Sequence, residues 1–109
     1  MARTLITIPP SPKAGDVIEI RVLIQHPMET GFRVAADGAF VPRNIIKRFS
    51  CRFSDGAKDE TIFAAELFPA IAANPYFAFN IVAAPGTLTF AWEGDNGFAQ
   101  TETAVLKIA

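Results

Sequence analysis

The sequence predicts an all-β fold in which two antiparallel sheets pack face to face. Apolar and polar residues alternate over many short stretches, clusters of turn-forming residues separate those stretches, and no segment carries a helical pattern of useful length. Alternation with a period of two residues is typical of strands that bury one side in a core. Seven such strands can be traced along the chain of 109 residues.

The first two predicted strands are residues 3–8 and 16–25. Proline cannot donate to a ladder of strand hydrogen bonds, and the first strand is followed by Pro9, Pro10 and Pro12. We therefore expect this strand at the edge of a sheet. The second strand has the clearest alternation in the chain, with one apolar face made of Ile18, Ile20, Val22 and Ile24.

The third and fourth predicted strands, residues 45–53 and 60–67, are joined by the turn signal Ser54-Asp55-Gly56, which predicts a hairpin. In the third strand, Ile46 is predicted to face away from the core and Lys47 interrupts the inward face. The inward face of the third strand consists of Ile45, Phe49, Cys51 and Phe53, and that of the fourth consists of Phe63, Ala65 and Leu67.

The last three predicted strands are residues 76–83, 87–92 and 99–108. Pro85-Gly86 predicts a turn that pairs the fifth and sixth strands as a hairpin, and the run 94–97 predicts the turn before the last strand. Segment 68–75 joins the fourth and fifth strands. It is rich in alanine, has a proline near each end, and is predicted to be a packed crossover loop.

Seven short strands without a long helix are typical of immunoglobulin-like β-sandwiches, and a small closed barrel is the alternative. We expect a single domain over residues 1–109, since domains usually run to about 100–150 residues. A chain of 11.8 kDa should fold to a surface of about 5,900 Å² and bury about two-thirds of its unfolded surface. With a hydrophobic content of 50%, this excludes a disordered chain.

The aromatic content indicates a protein-binding surface. The chain has 10 Phe, 1 Trp and 1 Tyr, which is more large apolar side chains than a small core readily hides, and we expect the excess to contact a partner. A net charge of −1 with scattered Lys and Arg offers no basic stripe for nucleic acid or for a membrane surface. No apolar run approaches the roughly 20 residues of a transmembrane helix, and the first residues lack the features of a signal peptide.

Few side chains in this sequence are suited to catalysis or metal binding. One His and one Cys are too few for a zinc, haem or blue-copper site. They also exclude the iron site of the sandwich-fold proteins that reduce superoxide, because the ligand set of that site resembles four imidazoles and a thiolate. The carboxylates are dispersed and no glycine cluster begins a helix. We therefore expect no catalytic residue, no cofactor and no metal ion.

The single thiol and the single imidazole each allow two interpretations. Cys51 shares a face with Phe49 and Phe53, which favours a buried structural side chain, and the alternative is a nucleophilic thiol. His26 lies where the second strand meets a long segment. It either makes only a structural hydrogen bond, or it orients that segment or touches a partner.

Residues 26–44 are the main candidate for a binding element. They show neither strand nor helix periodicity, and loops of this length usually bind something. The alternative for Phe32 and Phe40 is that they hold the loop against its own domain. The predicted partner contacts, in this segment and at the start of the fifth strand, are Met28, Phe32, Phe40, Arg43 and Tyr76.

Four segments of the chain closely resemble the SoxZ family, the small subunit of the SoxYZ sulfur-carrier complex of bacterial thiosulfate oxidation. The segments are HPMETGFR (26–33), PRNIIKRFSC (42–51), PAIAANPYFAF (69–79) and WEGDNG (92–97). They occur in the order found in the family, and the resemblance covers nearly the whole chain. It implies an immunoglobulin-like sandwich without catalytic residues.

The resemblance also implies a partner and a compartment. The chain would bind and brace SoxY in an obligate heterodimer or a higher assembly of such dimers, with transient contacts to other Sox enzymes. A cysteine in the flexible carboxyl-terminal arm of SoxY would carry the covalent sulfur intermediates. Members of the family typically reach the periplasm together with a signal-bearing SoxY, so we expect a periplasmic location.

Two alternatives of other classes remain open from the sequence. One is a thiol enzyme or sulfur carrier acting through Cys51, the single thiol of the chain. The other is a self-associating adhesion or binding domain, because sandwiches support many functions. A homodimer of the isolated chain would fit this second alternative and would equally fit a subunit that lacks its partner.

Overall fold

All seven predicted strands are present in the computed structural model, which describes residues 2–68, 71 and 73–108. Their bounds differ from the predicted ones by at most two residues. The agreement is close because alternation between buried and exposed side chains is a local property of each strand. The strands are β1 Thr4–Thr7, β2 Val17–Ile24, β3 Ile46–Ser54, β4 Asp59–Glu66, β5 Tyr76–Val82, β6 Gly86–Gly94 and β7 Ala99–Leu106.

The strands form the predicted antiparallel sandwich. One sheet has three strands in the order β1-β2-β5, and the other has four in the order β4-β3-β6-β7. The edge position of β1 and the hairpin between β3 and β4 are both confirmed. Since the two sheets share no ladder, the closed barrel is excluded.

The predicted hairpin between β5 and β6 is wrong. β5 pairs with β2, whereas β6 pairs with β3 and β7, so the turn at Pro85-Gly86 carries the chain from one sheet to the other. At Gly86 a Cβ would come within 2.7 Å of both the Phe53 ring and the carbonyl oxygen of Ser54. A turn signal in the sequence marks a change of direction, but the pairing depends on where the two apolar faces are buried.

Ile46 is buried, contrary to the prediction. The pairing of β3 with β6 shifts its register between Ile46 and Arg48, and such a bulge breaks the two-residue alternation. Ile45 and Ile46 are therefore both buried, at 2% and 0% exposure. The bulge also explains why Lys47 interrupts the inward face of this strand.

The core lies between the sheets and is centred on Phe49. The Phe49 ring stacks on Phe77 of the opposite sheet, with centroids 4.7 Å apart, and its centroid lies 5.3 Å from that of Trp92. The core does not take up every aromatic side chain. Phe32, Phe40, Phe68 and Tyr76 are exposed.

The connection between β4 and β5 crosses from one sheet to the other, as predicted for residues 68–75. Pro69, Ala70 and Ala72 lie outside the described residues. Of the others, Pro75 is buried, while Phe68 and Ile71 are exposed at 63% and 40%. Among the described residues of this connection, the predicted close packing therefore holds for Pro75, while Phe68 and Ile71 lie in solvent.

Residues 29–44, between β2 and β3, form a hairpin-like projection that we call the arm. Two isolated antiparallel bridges, Glu29↔Asn44 and Val34↔Phe40, hold its two sides together. Because the bridges are short and far apart, the segment has no continuous alternation, and the sequence predicted only an irregular loop. Within the described residues, no helix is long and apolar enough to span a bilayer.

The molecule is elongated, with extents of 56 × 23 × 21 Å and a radius of gyration of 16.3 Å. A compact chain of this length would have a radius of gyration of about 13 Å. A nine-residue strand spans about 30 Å, so the sandwich alone does not account for the long axis. Connections outside the sheets, which include the arm, supply the remaining length.

Candidate protein-binding surface

The arm carries three large apolar side chains in solvent. Phe32 is 79% exposed, Val34 is 55% exposed and Phe40 is 67% exposed. Val34 and Phe40 are directly opposite each other in a bridge, so their side chains lie on the same face of the arm. Clustered apolar exposure of this kind marks a contact site for another molecule.

The two arginines of the arm form ion pairs within the chain. Arg33 binds Glu29 at 2.7 Å from Nη2 to Oε1, and these hydrogen bonds hold the pKa of Glu29 below its usual value. Arg43 binds Asp95 at 2.8 Å. Exposed ion pairs of this kind contribute little to the stability of the fold. If another protein buries the arm, however, each guanidinium group still has a carboxylate partner within the chain.

Asp95 connects the base of the arm to the turn between β6 and β7. One of its carboxylate oxygens accepts the hydrogen bond from Arg43, and the other accepts one from the backbone N–H of Ile45 at 3.1 Å. The bond from Arg43 is the main reason why the pKa of Asp95 is lowered. Arg43, a predicted partner contact, is half exposed. Its ion pair with Asp95 gives it a structural role within the chain as well.

Met28, another predicted contact, anchors the arm from inside the core. It is 4% exposed, and its Sδ accepts a hydrogen bond from the backbone N–H of Ile46 at 3.2 Å. The backbone N–H of Met28 donates to Nδ1 of His26 at 3.0 Å. Since its side chain is covered by its own chain, Met28 is unavailable to a partner in this conformation.

His26 accepts a structural hydrogen bond, one of the roles predicted for it, and that bond also fixes the start of the arm. The imidazole is 5% exposed, and this burial lowers its pKa. The backbone of His26 exchanges two hydrogen bonds with Asn74, one to the side chain at 3.0 Å and one from the backbone N–H at 2.8 Å. The arm therefore projects from a rigid base.

Tyr76, the fifth predicted contact, lies away from the tip of the arm on the outer face of the three-stranded sheet. Leu5, Leu23 and Tyr76 are neighbours across β1, β2 and β5 and form an apolar row. Leu5 is 64% exposed and Tyr76 is 53% exposed. The structure thus places three predicted contacts on the arm, one in the core and one on a second apolar surface.

A family model described as sulphur oxidation protein SoxZ matches residues 6–105, a range that includes the arm and nearly all of the sandwich. The chain belongs to the SoxZ family. It is therefore a component of the Sox system of sulfur oxidation. No curated protein sequence matches it.

Solved structures similar to this SoxZ-family chain share its fold. A superoxide reductase (neelaredoxin) from Ignicoccus hospitalis has a TM-score of 0.74 and 15% identity, over 99% of this chain and 82% of that one. A candidate superoxide reductase from Thermotoga maritima has a TM-score of 0.73 and 13% identity, over 97% of this chain and 85% of that one. At such low identity the similarity extends to the sandwich architecture alone.

The described His, Cys, Asp and Glu side chains of this SoxZ-family member do not form a metal-binding cluster. Among the described residues, no three His, Cys, Asp or Glu side chains converge closely enough to share an ion. His26 already accepts a hydrogen bond through Nδ1. Cys51 lies in the core at 0% exposure, where burial raises the pKa of its thiol to about 12.

Two exposed residues of these surfaces were missed by the sequence reasoning. Val34 belongs to the arm and Leu5 to the apolar row beside Tyr76. The signal for Val34 was present, because Asp37-Gly38 is a hairpin turn sequence and lies between the bridge partners Val34 and Phe40. Leu5 gave no comparable signal, since a short strand does not reveal which of its faces is covered.

Proposed function

We propose that this chain is a non-catalytic subunit that binds SoxY and braces it in the periplasm. The cysteine in the flexible carboxyl-terminal segment of SoxY carries the covalent sulfur intermediates of thiosulfate oxidation. This chain supplies a docking surface and does not itself react. Membership of the SoxZ family supports this assignment. Export together with a signal-bearing SoxY accounts for the location, and other Sox enzymes make transient contacts with the complex.

The observation that carries the proposal is the arm with its exposed Phe32, Val34 and Phe40. The base of the arm is fixed by hydrogen bonds of His26 and Met28, so little conformational freedom is lost when a partner covers it. Its arginines keep their carboxylate partners on burial. These properties favour a preformed protein-docking element.

The total surface of the chain agrees with a docking role. The accessible surface is 6712 Å², against about 5,900 Å² for a compact monomer of this mass, an excess of about 800 Å². One partner in a standard-size complex contributes about 800 Å² to the interface. Covering the arm and the adjoining sheet surface would thus remove the excess.

The burial of Cys51 argues against the alternative of a thiol enzyme or sulfur carrier. A reactive thiol needs access to solvent and a stabilised thiolate. Cys51 is 0% exposed, and burial favours its protonated form. Its position between Phe49 and Phe53 on the inward face of β3 is that of a small core side chain.

The first test measures the mass of the chain expressed alone and together with SoxY. We expect a stable complex that survives size-exclusion chromatography and contains both chains. Separate, stable monomers of the two chains at micromolar concentration would contradict the proposal.

The second test measures SoxY affinity by calorimetry with changes on the arm. Phe32→Ala with Phe40→Ala should weaken binding by at least about tenfold, because burying one Phe contributes about 1.5–3 kcal/mol. Val34→Ala should weaken binding several-fold. Val105→Ala is its matched control, because Val105 is similarly exposed, at 65% against 55%, but lies on β7. Equal effects of the two valine changes would refute a role for the arm.

A further inference from the structure

The sandwich has four edge strands, namely β1, β5, β4 and β7. An edge strand presents unpaired backbone N–H and C=O groups, and proteins normally protect such edges from pairing with other chains. Short length, proline, charge and inward-pointing polar groups are the usual means of protection. Whether an edge has such protection therefore indicates whether it is free to pair.

Three of the four edges are protected. β1 has only four residues, which leaves a short edge to pair. β4 carries acidic residues near both ends, and antiparallel pairing with its own copy, centred on the strand, would place Asp59 opposite Glu66. β7 has Glu102 on its inward face, opposite Phe90 of β6.

Within the strand itself β5 has none of these protections, and the nearest prolines, Pro75 and Pro85, lie outside it. Its seven residues, YFAFNIV, contain no charge, no proline and no glycine. Its inward side chains Phe77, Phe79 and Ile81 are only half buried, whereas Ile20 of the neighbouring β2 is 0% exposed. Beside β5 a cleft of about 410 Å³ separates the edges of the two sheets, and its lining includes the apolar Ile62, Ile81 and Val82 together with the charged Lys58 and Glu60.

We propose that β5 pairs antiparallel with β5 of a second copy of this chain, across a twofold axis at Phe79. This register places Tyr76 opposite Val82, Phe77 opposite Ile81 and Ala78 opposite Asn80 of the second copy. No charged groups face each other in it, and every inward apolar side chain meets an inward apolar side chain. The three-stranded sheets join into one sheet of six strands, and the half-buried side chains become covered.

A second copy is the occupant that the sequence of β5 fits. The strand is symmetric in character about Phe79. Phe77 and Ile81 lie at equal distances from it on the inward face, and on the outward face the small or neutral Ala78 and Asn80 are flanked by the larger apolar Tyr76 and Val82. Self-pairing needs such symmetry, whereas an unrelated strand does not. The arm takes no part in this pairing, and the test uses this chain alone, so its outcome does not depend on binding to SoxY.

The test measures mass by sedimentation over a concentration series of the chain alone. The wild-type chain should change from 11.8 kDa towards twice that value as concentration rises. Ala78→Lys with Asn80→Lys places two pairs of like charges opposite each other and should raise the dissociation constant at least about tenfold. Thr101→Lys with Thr103→Lys is the matched control, since it puts the same charges on exposed positions of the β7 edge and should leave the dimer unchanged.

A charge reversal tests the register itself. In Ala78→Glu with Asn80→Lys, each introduced lysine would face an introduced glutamate of the second copy, and dimerisation should return to at least the wild-type level. Within the chain, the introduced glutamate lies opposite Arg21 of β2 and the introduced lysine opposite Glu19, so the variant adds no like-charge pair there. A wild-type chain that stays monomeric up to about 1 mM would overturn the proposal. A dimer that is insensitive to the double-lysine change, or a folded charge-reversal variant that stays monomeric, would overturn it as well. Circular dichroism establishes folding of each variant.

Discussion

Replacing Cys51 separates a structural side chain from a reactive one. Its side chain is fully buried on the inward face of β3, between the cross-strand neighbours Phe63 and Phe90. Cys51→Ala removes one heavy atom from a packed core and should cost about 1 kcal/mol of unfolding free energy. Cys51→Ser keeps the size but buries a hydroxyl without an assured acceptor, which costs about 1–3 kcal/mol. We therefore expect the serine variant to be the less stable one in urea denaturation.

Thiol labelling tests the same reasoning without a mutation. Burial raises the pKa of Cys51 from an ordinary 9.0 to about 12, which lowers the thiolate fraction at pH 8 by about a thousandfold. Iodoacetamide should thus label the native chain at least about a thousandfold more slowly than the chain unfolded in urea. Native labelling within about tenfold of the unfolded rate would refute the assignment of a structural role. So would a thiosulfate-derived mass adduct on this chain that disappears in Cys51→Ala.

Three further predictions concern the base of the arm. Gly94→Ala would place a Cβ against the carbonyl oxygen of Ile45 and should cost at least about 2 kcal/mol in urea denaturation, and an unchanged midpoint would refute this close approach. Burial lowers the pKa of His26 in the folded chain, so the unfolded state binds more protons and stability should fall as pH drops through about 6.5. His26→Gln should abolish that component, and urea midpoints between pH 5 and pH 8 would measure it. Asp95→Ala removes the acceptor for Arg43 and Ile45 and should speed amide exchange in residues 29–44, with unchanged rates contradicting the proposed anchoring.

The bounds of the strands could be predicted from the sequence to within two residues, because buried and exposed side chains alternate along each strand. The errors arose where that local pattern is interrupted. The bulge near Lys47 turns both Ile45 and Ile46 inward. It arises in the pairing of β3 with β6, and no local pattern in the sequence indicates which strand pairs with β3. The turn at Pro85-Gly86 was located correctly, but its crossing to the other sheet depends on contacts of Gly86 with β3.

The candidate surface was predicted as a segment, but its individual side chains were less predictable. The length and irregularity of residues 26–44 indicated a binding element, and the structure presents Phe32 and Phe40 in solvent there. Met28 has similar apolar character in the sequence but is buried. Its position next to the bulge at Ile46 gives its sulfur a backbone donor and its side chain a place in the core.

The sequence by itself determined the all-β class, the seven strands and the excess of aromatic side chains, because periodicity and composition do not depend on distant parts of the chain. The tertiary structure alone decided which strands are neighbours, which apolar residues are covered and which edge strand is left open. Those outcomes depend on contacts between residues far apart in the chain, such as Phe49 with Phe77 and Arg43 with Asp95. A single sequence shows no periodic pattern from which such contacts could be predicted.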